Sequence, residues 1–223
     1  MNFKFFINRF FYLFYGEKCF KKFKYNWSEY PNRTQVINDI ITKKNYSNYL
    51  EIGCFQNDNF DEIYIKKKIG VDPVSGGTHR MTSDDFFKNN IEKFDIIFID
   101  GLHVYEQVKK DIDNSLNFLN DDGIILLHDC LPRKIWYQTP KRMSDTWNGD
   151  VWKAIVECRT LEGIDTYTCL ADEGIGIIKK RPNKNILILP TKKFKKLTYK
   201  DYFHKHNEYM NIINFEELMQ KII

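Results

Sequence analysis

Between about residues 46 and 180, short apolar runs alternate with amphipathic stretches, and no other feature of the sequence limits the fold as tightly. Tyr49-Leu-Glu-Ile-Gly53, Lys68-Ile-Gly-Val-Asp72, Phe94-Asp-Ile-Ile-Phe-Ile-Asp100 and Gly123-Ile-Ile-Leu-Leu-His128 have the length and apolar content of strands. Segments 164–170 and 175–178 close the series as a pair. Helical patterning falls between them, over 57–66, from Ser83 as an N-cap, over 104–119 and over 150–161. Strands that alternate with helices build a doubly wound, mostly parallel α/β sheet. In such sheets ligands lie beyond the carboxyl ends of the strands. Glu51, Gly53, Asp72, Asp100 and Asp129 fall at or just past those ends.

Gly53 ends the first strand and Asp72 ends the second. A glycine there lets backbone approach a ligand, and a carboxylate after the second strand can accept both hydroxyls of a ribose. A dinucleotide-binding oxidoreductase would want G-x-G-x-x-G after the first strand, and only Gly53 is present. Tyr49-Leu-Glu-Ile-Gly-Cys-Phe-Gln-Asn57 and Gly70-Val-Asp-Pro73 resemble the first two motifs of class I S-adenosylmethionine-dependent methyltransferases. The resemblance implies a Rossmann-like fold with a seven-stranded sheet whose last strand is antiparallel. It also implies S-adenosylmethionine as cofactor, with Glu51, Gly53 and Asn57 at its methionine part and Asp72 at its ribose. Asn57 stands where the family has a second glycine, and asparagine tolerates the left-handed conformation that such a turn needs. Ser83 is either an adenine contact or a plain helix cap.

Ile99-Asp-Gly-Leu-His103 and His128-Asp129-Cys130 carry the candidate chemistry. Two carboxylates on adjacent strand ends can share a hard cation, and an imidazole beside them can take a proton from a hydroxyl. The pattern resembles the sugar O-methyltransferase and catechol O-methyltransferase-like branch of the family. That resemblance implies His103 as general base with Asp100 beside it at the cofactor, and magnesium on Asp100 and Asp129. Cys130 departs from the oxygen ligand usual in relatives, which leaves the metal open. His128, Trp147 and Asp150 are candidate substrate residues; a buried structural histidine and a helix cap at Asp150 are the plainer readings. The function expected is methylation of a hydroxyl of a sugar or similar polyol, including a nucleotide-linked glycan precursor. Another small or phosphate-bearing acceptor, or a non-catalytic cofactor-binding subunit, is the alternative.

Charge divides the chain further. The net charge is +4, yet residues 1–25 carry six Lys/Arg against one acid and 179–205 carry ten against one, so the middle is acidic. That acidity and the lack of an N/D-P-P-Y motif argue against a nucleic-acid substrate. Three segments are expected: 1–30, an aromatic amphipathic start with Phe3, Ile7, Phe10 and Phe14 at helical spacing; 31–181, the catalytic domain; and 182–223, a basic extension with a terminal helix over 215–222. The first segment's apolar stretch, residues 1–15, is too short and too interrupted to span a bilayer, so it is expected to dock on the domain or a second subunit, or to lie on a membrane surface. Five cysteines without metal spacing point to free thiols and a reducing, cytoplasmic setting.

Overall fold

Alternate residues of the central strands leave the sheet on opposite faces, and both sets are apolar. Leu50, Ile52, Ile97, Ile99, Ile125 and Leu127 are buried in one core. Tyr49, Ile96, Phe98, Ile124 and Leu126 are buried in the other. A sheet with two such faces must be covered on both. The computed structural model describes residues 23–190 and 193–222, with Ile7 and Phe10 besides. The amphipathic stripe expected over 1–15 therefore lies outside the described residues, apart from Ile7 and Phe10, which are helical and more than half exposed.

The strands are β1 (Asn48–Ile52), β2 (Lys67–Val71), β3 (Phe94–Ile99), β4 (Leu119–Leu127), β5 (Asp165–Cys169), β6 (Ile175–Lys179) and β7 (Ile212–Ile213). They form one sheet in the order β2-β1-β3-β4-β6-β5-β7. The pairs β1/β2, β1/β3, β3/β4 and β5/β7 are parallel, and β6 runs antiparallel to both neighbours. The antiparallel strand is thus the last of those expected from the sequence, and the seventh comes from the tail. The helices are α1 (Arg33–Lys44), α2 (Ser83–Asn89), α3 (Tyr105–Phe118), α4 (Trp152–Cys158), α5 (Tyr199–Met210) and α6 (Phe215–Ile222). No helix among the described residues is long and apolar enough to cross a membrane.

Three local expectations change. The helix expected over 57–66 is a single 3-10 turn, Phe60–Glu62. Asn57 sits at φ +67, and the Lys68 ammonium takes the carbonyls of Phe60, Asp61 and Ile63, while Asn38 bonds the Glu62 carbonyl and the Tyr64 N–H. The backbone groups a helix would use are satisfied elsewhere. Thr82, not Ser83, caps α2, accepting from the Asp85 N–H at 3.1 Å. Asp150 does not cap α4; its Oδ1 accepts the Tyr105 N–H at 2.7 Å and so serves the start of α3.

The segment after 181 is not a loose appendage. Tyr199, Tyr202, Tyr209 and Met210 are buried in the same core as Trp152 and the central strands, and the Tyr202 ring lies 5.1 Å from that of Trp152. The buried Arg159 donates to the carbonyls of Glu208 at 3.0 Å and Asn185 at 2.7 Å, which ties the segment's backbone to α4. The Tyr202 hydroxyl has no hydrogen-bond partner among the described residues. Tyr202→Ala should therefore cost about 3–5 kcal/mol of stability, as buried aromatic truncations do, while Tyr202→Phe should be near neutral. Denaturant unfolding of both variants checks this; an alanine variant as stable as the parent would show that the tail does not complete the core.

Candidate active site

The carboxyl ends of β1, β3 and β4 and the β5–β6 turn meet at one edge of the sheet. Gly53 leaves β1 at φ +89, and a Cβ there would lie 2.3 Å from the Asp100 carbonyl oxygen, so the close approach of these two strand ends requires glycine. The ladder runs one residue past each strand: Gly53 N–H donates to the Val71 carbonyl, Asp100 N–H to that of Ile52, and His128 N–H to that of Ile99. The side chains that follow inherit the register of the sheet.

Two cavities share the wall made by Gly53, Phe55 and Asp100. The first, about 530 Å³, runs from Asp72 past Val74 and Leu102 to Ser83, Gln107 and Asp111. Asp72 is set there by its own turn. Its Oδ2 accepts from the Phe55 N–H at 2.9 Å and its Oδ1 from Val74 at 2.7 Å and Ser75 at 2.9 Å. Burial pushes this carboxyl up, and the three N–H bonds outweigh it and keep it ionised. The exposed apolar Phe55, Val74 and Leu102 flank the opening. At the far end burial pushes the Asp111 carboxyl up to about 6, against bonds from Ser83 and Gln107.

The second cavity, about 410 Å³, holds Glu51, Arg33, Asp100, His103, His128, Asp129 and Trp147. His103 Nδ1 lies 2.8 Å from the Trp147 carbonyl and 3.1 Å from Asp129 Oδ2, and its Nε2 lies 3.3 Å from Asp100 Oδ1. A carbonyl only accepts, so Nδ1 carries hydrogen and Nε2 is the atom that can take and release a proton. The Trp147 ring stacks on the imidazole at 5.1 Å. His128 Nδ1 lies 3.2 Å from Asp100 Oδ1 and its Nε2 lies 3.5 Å from Asp172 Oδ1.

Burial would lower both imidazoles, but the surrounding carboxylates win. The Asp100 bond and Asp129 hold His103 up to about 9, and Asp100 and Asp129 hold His128 well above its ordinary value. Burial would likewise raise Asp100, and His128 and His103 hold it far below the usual carboxylate range. Burial pushes Glu51 up to about 7, against bonds from Tyr49 and Asn59.

Residues 32–130 match the methyltransferase domain family Methyltransf_24. The fold is similar to methyltransferase PaMTH1 of Podospora anserina, solved with S-adenosylhomocysteine: TM-score 0.53 and 16% identity, covering 67% of this chain and 78% of that one. It is also similar to cofactor-bound Rv0187 from MTB: TM-score 0.51 and 12% identity, covering 79% of this chain and 97% of that one. No curated protein matches the chain in sequence. Residues 32–130 thus carry a methyltransferase domain, on a fold shared with methyltransferases solved with bound cofactor.

Of the residues expected at the site, Glu51, Gly53, Asp72, Ser83 and Asp100 line one or both cavities, and His103, His128, Asp129 and Trp147 gather in the second. Asn57 lines neither. It adopts the left-handed conformation expected of it, but its Oδ1 accepts the Gly77 N–H at 2.6 Å and ties the first turn to the 73–79 loop. Asp150, bound to Tyr105 and Lys153, also stands outside both cavities. The buried His128 meets carboxylates rather than backbone. In the segment between β4 and α4, Arg142 reaches the second cavity, whereas Arg133 pairs with Glu173 at 3.1 Å.

Arg33 and Asp172 were not read from the sequence. Arg33 NH1 lies 3.0 Å from Asp100 Oδ2, and the Arg33 N–H donates to Asp172 Oδ2 at 3.0 Å. The signal for Arg33 was the run from Asn32 with Val36, Ile37, Ile40 and Ile41 at helical spacing, which is α1, with Asn32 as its cap. Asp172 has no motif; it is delivered by a turn in which Asp172, Glu173 and Gly174 all have positive φ.

The raised Asp111 carboxyl carries a linkage consequence. Its folded value exceeds its unfolded one, so the folded state binds the extra proton and stability falls as pH rises between about 4 and 6. Asp111→Asn should remove that cost, raising stability at pH 8 by roughly 2–3 kcal/mol and changing it much less near pH 4. Thermal unfolding at both pH values tests the sign, and destabilisation at pH 8 would contradict it.

Proposed function

We propose that the chain is a class I S-adenosylmethionine-dependent methyltransferase that methylates a hydroxyl oxygen of a sugar or similar polyol, including a nucleotide-linked one. The observation that carries the reading is the placement of His103 Nε2 against Asp100, at the wall the two cavities share. In this reading the first cavity holds the adenosine of the cofactor, with Asp72 at the ribose hydroxyls and Ser83 at the adenine. Glu51 and Gly53 would hold its methionine part at the wall the two cavities share.

The acceptor hydroxyl then meets His103. Nε2 would take its proton, and the bound cofactor would supply the electrophilic methyl that the freed oxygen accepts, giving the methyl ether and S-adenosylhomocysteine. Trp147 keeps the base in place twice, through its carbonyl on Nδ1 and its ring against the imidazole. The polar lining of the second cavity suits an acceptor rich in hydroxyls, and Arg142 supplies a cation for a phosphate-bearing one. Asp100, between two imidazoles and a guanidinium, stabilises the imidazolium that proton transfer creates.

His103→Ala should lower kcat by about 10²–10⁴-fold and leave S-adenosylhomocysteine binding by calorimetry unchanged. Because the carboxylates hold His103 up to about 9, the base form grows towards alkaline pH; kcat of the parent should rise with it, and that of the variant should not. Near-normal turnover by His103→Ala would remove the base. Acceptor class is tested by measuring S-adenosylhomocysteine release with hexoses, sugar nucleotides, catechols and amines. Release with the polyols is expected; release with amines alone would overturn the oxygen assignment.

A further inference from the structure

The family resemblance implies magnesium on Asp100 and Asp129, and ligand atoms of Asp100, His103 and Asp129 do lie within 4.8 Å of one another. A hard dication wants oxygen ligands with free lone pairs and usually keeps several waters. Here each carboxylate oxygen already faces a nitrogen. Asp100 Oδ2 is 3.0 Å from Arg33 NH1, and its Oδ1 is 3.2 Å from His128 Nδ1 and 3.3 Å from His103 Nε2. Asp129 Oδ1 accepts from the Asn148 amide at 2.6 Å, and its Oδ2 is 3.1 Å from His103 Nδ1. Cys130 stands where a third oxygen ligand is usual, and its thiol turns away to the carbonyls of Leu127 at 3.6 Å and His128 at 3.5 Å. Thiol sulfur is in any case a poor partner for magnesium. These residues do not fit the ion.

A cation is nonetheless present at the same carboxylate. Arg33 enters from the first turn of α1, anchored by its own N–H on Asp172 Oδ2, with its Nε 3.6 Å from the same oxygen. Its NH1 reaches Asp100 and lies 3.2 Å from both ring nitrogens of His128. A guanidinium stays charged at any working pH. A dication on the other oxygen of Asp100 would share one carboxylate with this fixed charge and would be repelled by it.

We propose that Arg33 is the resident cation of this site, and that the site takes no divalent metal. Arg33 acts as a positioning residue: it holds Asp100 at Oδ2, while His103 meets Oδ1. The assignment concerns the cation alone; its catalytic meaning rests on the reading of the cluster as the place of methyl transfer.

The test titrates Mn²⁺, as a paramagnetic stand-in for magnesium, into the full chain with and without S-adenosylhomocysteine and follows free Mn²⁺ by its spin resonance signal. The parent should leave Mn²⁺ free. Arg33→Gln, which uncovers Asp100 without adding a charge, should bind it at least about tenfold more tightly, and Arg33→Lys should restore the parent behaviour. Micromolar Mn²⁺ binding by the parent that Asp129→Asn abolishes would overturn the proposal, as would an Arg33→Gln chain that still leaves Mn²⁺ free. A parent that ignores Mn²⁺ but methylates no polyol would leave the cation assignment standing and remove the acceptor class instead.

Discussion

The backbone of Gly53 lies against the carbonyl of Asp100, and the site is organised around that contact. It occurs where the strand order turns, because β1 pairs with β2 on one side and β3 on the other. Chain leaving β1 and chain leaving β3 diverge from there in opposite directions and open a cleft between them. A side chain at position 53 would force the strand ends apart, and the wall common to both cavities would go with them. The two cavities are adjacent because this approach is close.

The charged cavity is expensive to build. Asp129 at φ +61, Asp172 at +27 and Glu173 at +59 occupy the left-handed region, which costs non-glycine residues on the order of 1–3 kcal/mol each at strained sites. Carboxylates and imidazoles buried together would be worse if unpaired. The cluster offsets this by interlocking. Arg133 holds Glu173, Asn148 reaches Glu173 and Asp129, His103 and His128 link Asp129 to Asp100, and Arg33 closes the network onto Asp172. Strain and buried charge are concentrated at this edge, while the sheet beneath is apolar on both faces.

Most of the sheet was legible because its strands are nearly continuous apolar runs ending in acids, and position along a strand fixed which residues would reach the edge. Gly53, Asp72, Asp100, His103 and Asp129 were found that way. Asn57 and Asp150 instead accept the backbone N–H groups of Gly77 and Tyr105 and line neither cavity. Arg33 lies far from Asp100 in sequence and Asp172 far from Arg33 and His128, so these groups meet only after folding. The tail looked like an appendage because its lysines dominate the composition, whereas its fold is decided by Tyr199, Tyr202 and Met210, which face inward.

The central claim is that one cofactor spans both cavities across the Gly53–Asp100 wall. A crystal structure of the chain with S-adenosylhomocysteine tests it most directly. The account predicts the ribose hydroxyls within hydrogen-bond distance of Asp72, the adenine beside Ser83 and the sulfur at the wall facing His103. A nucleoside bound elsewhere, or a sulfur pointing away from His103, would contradict it.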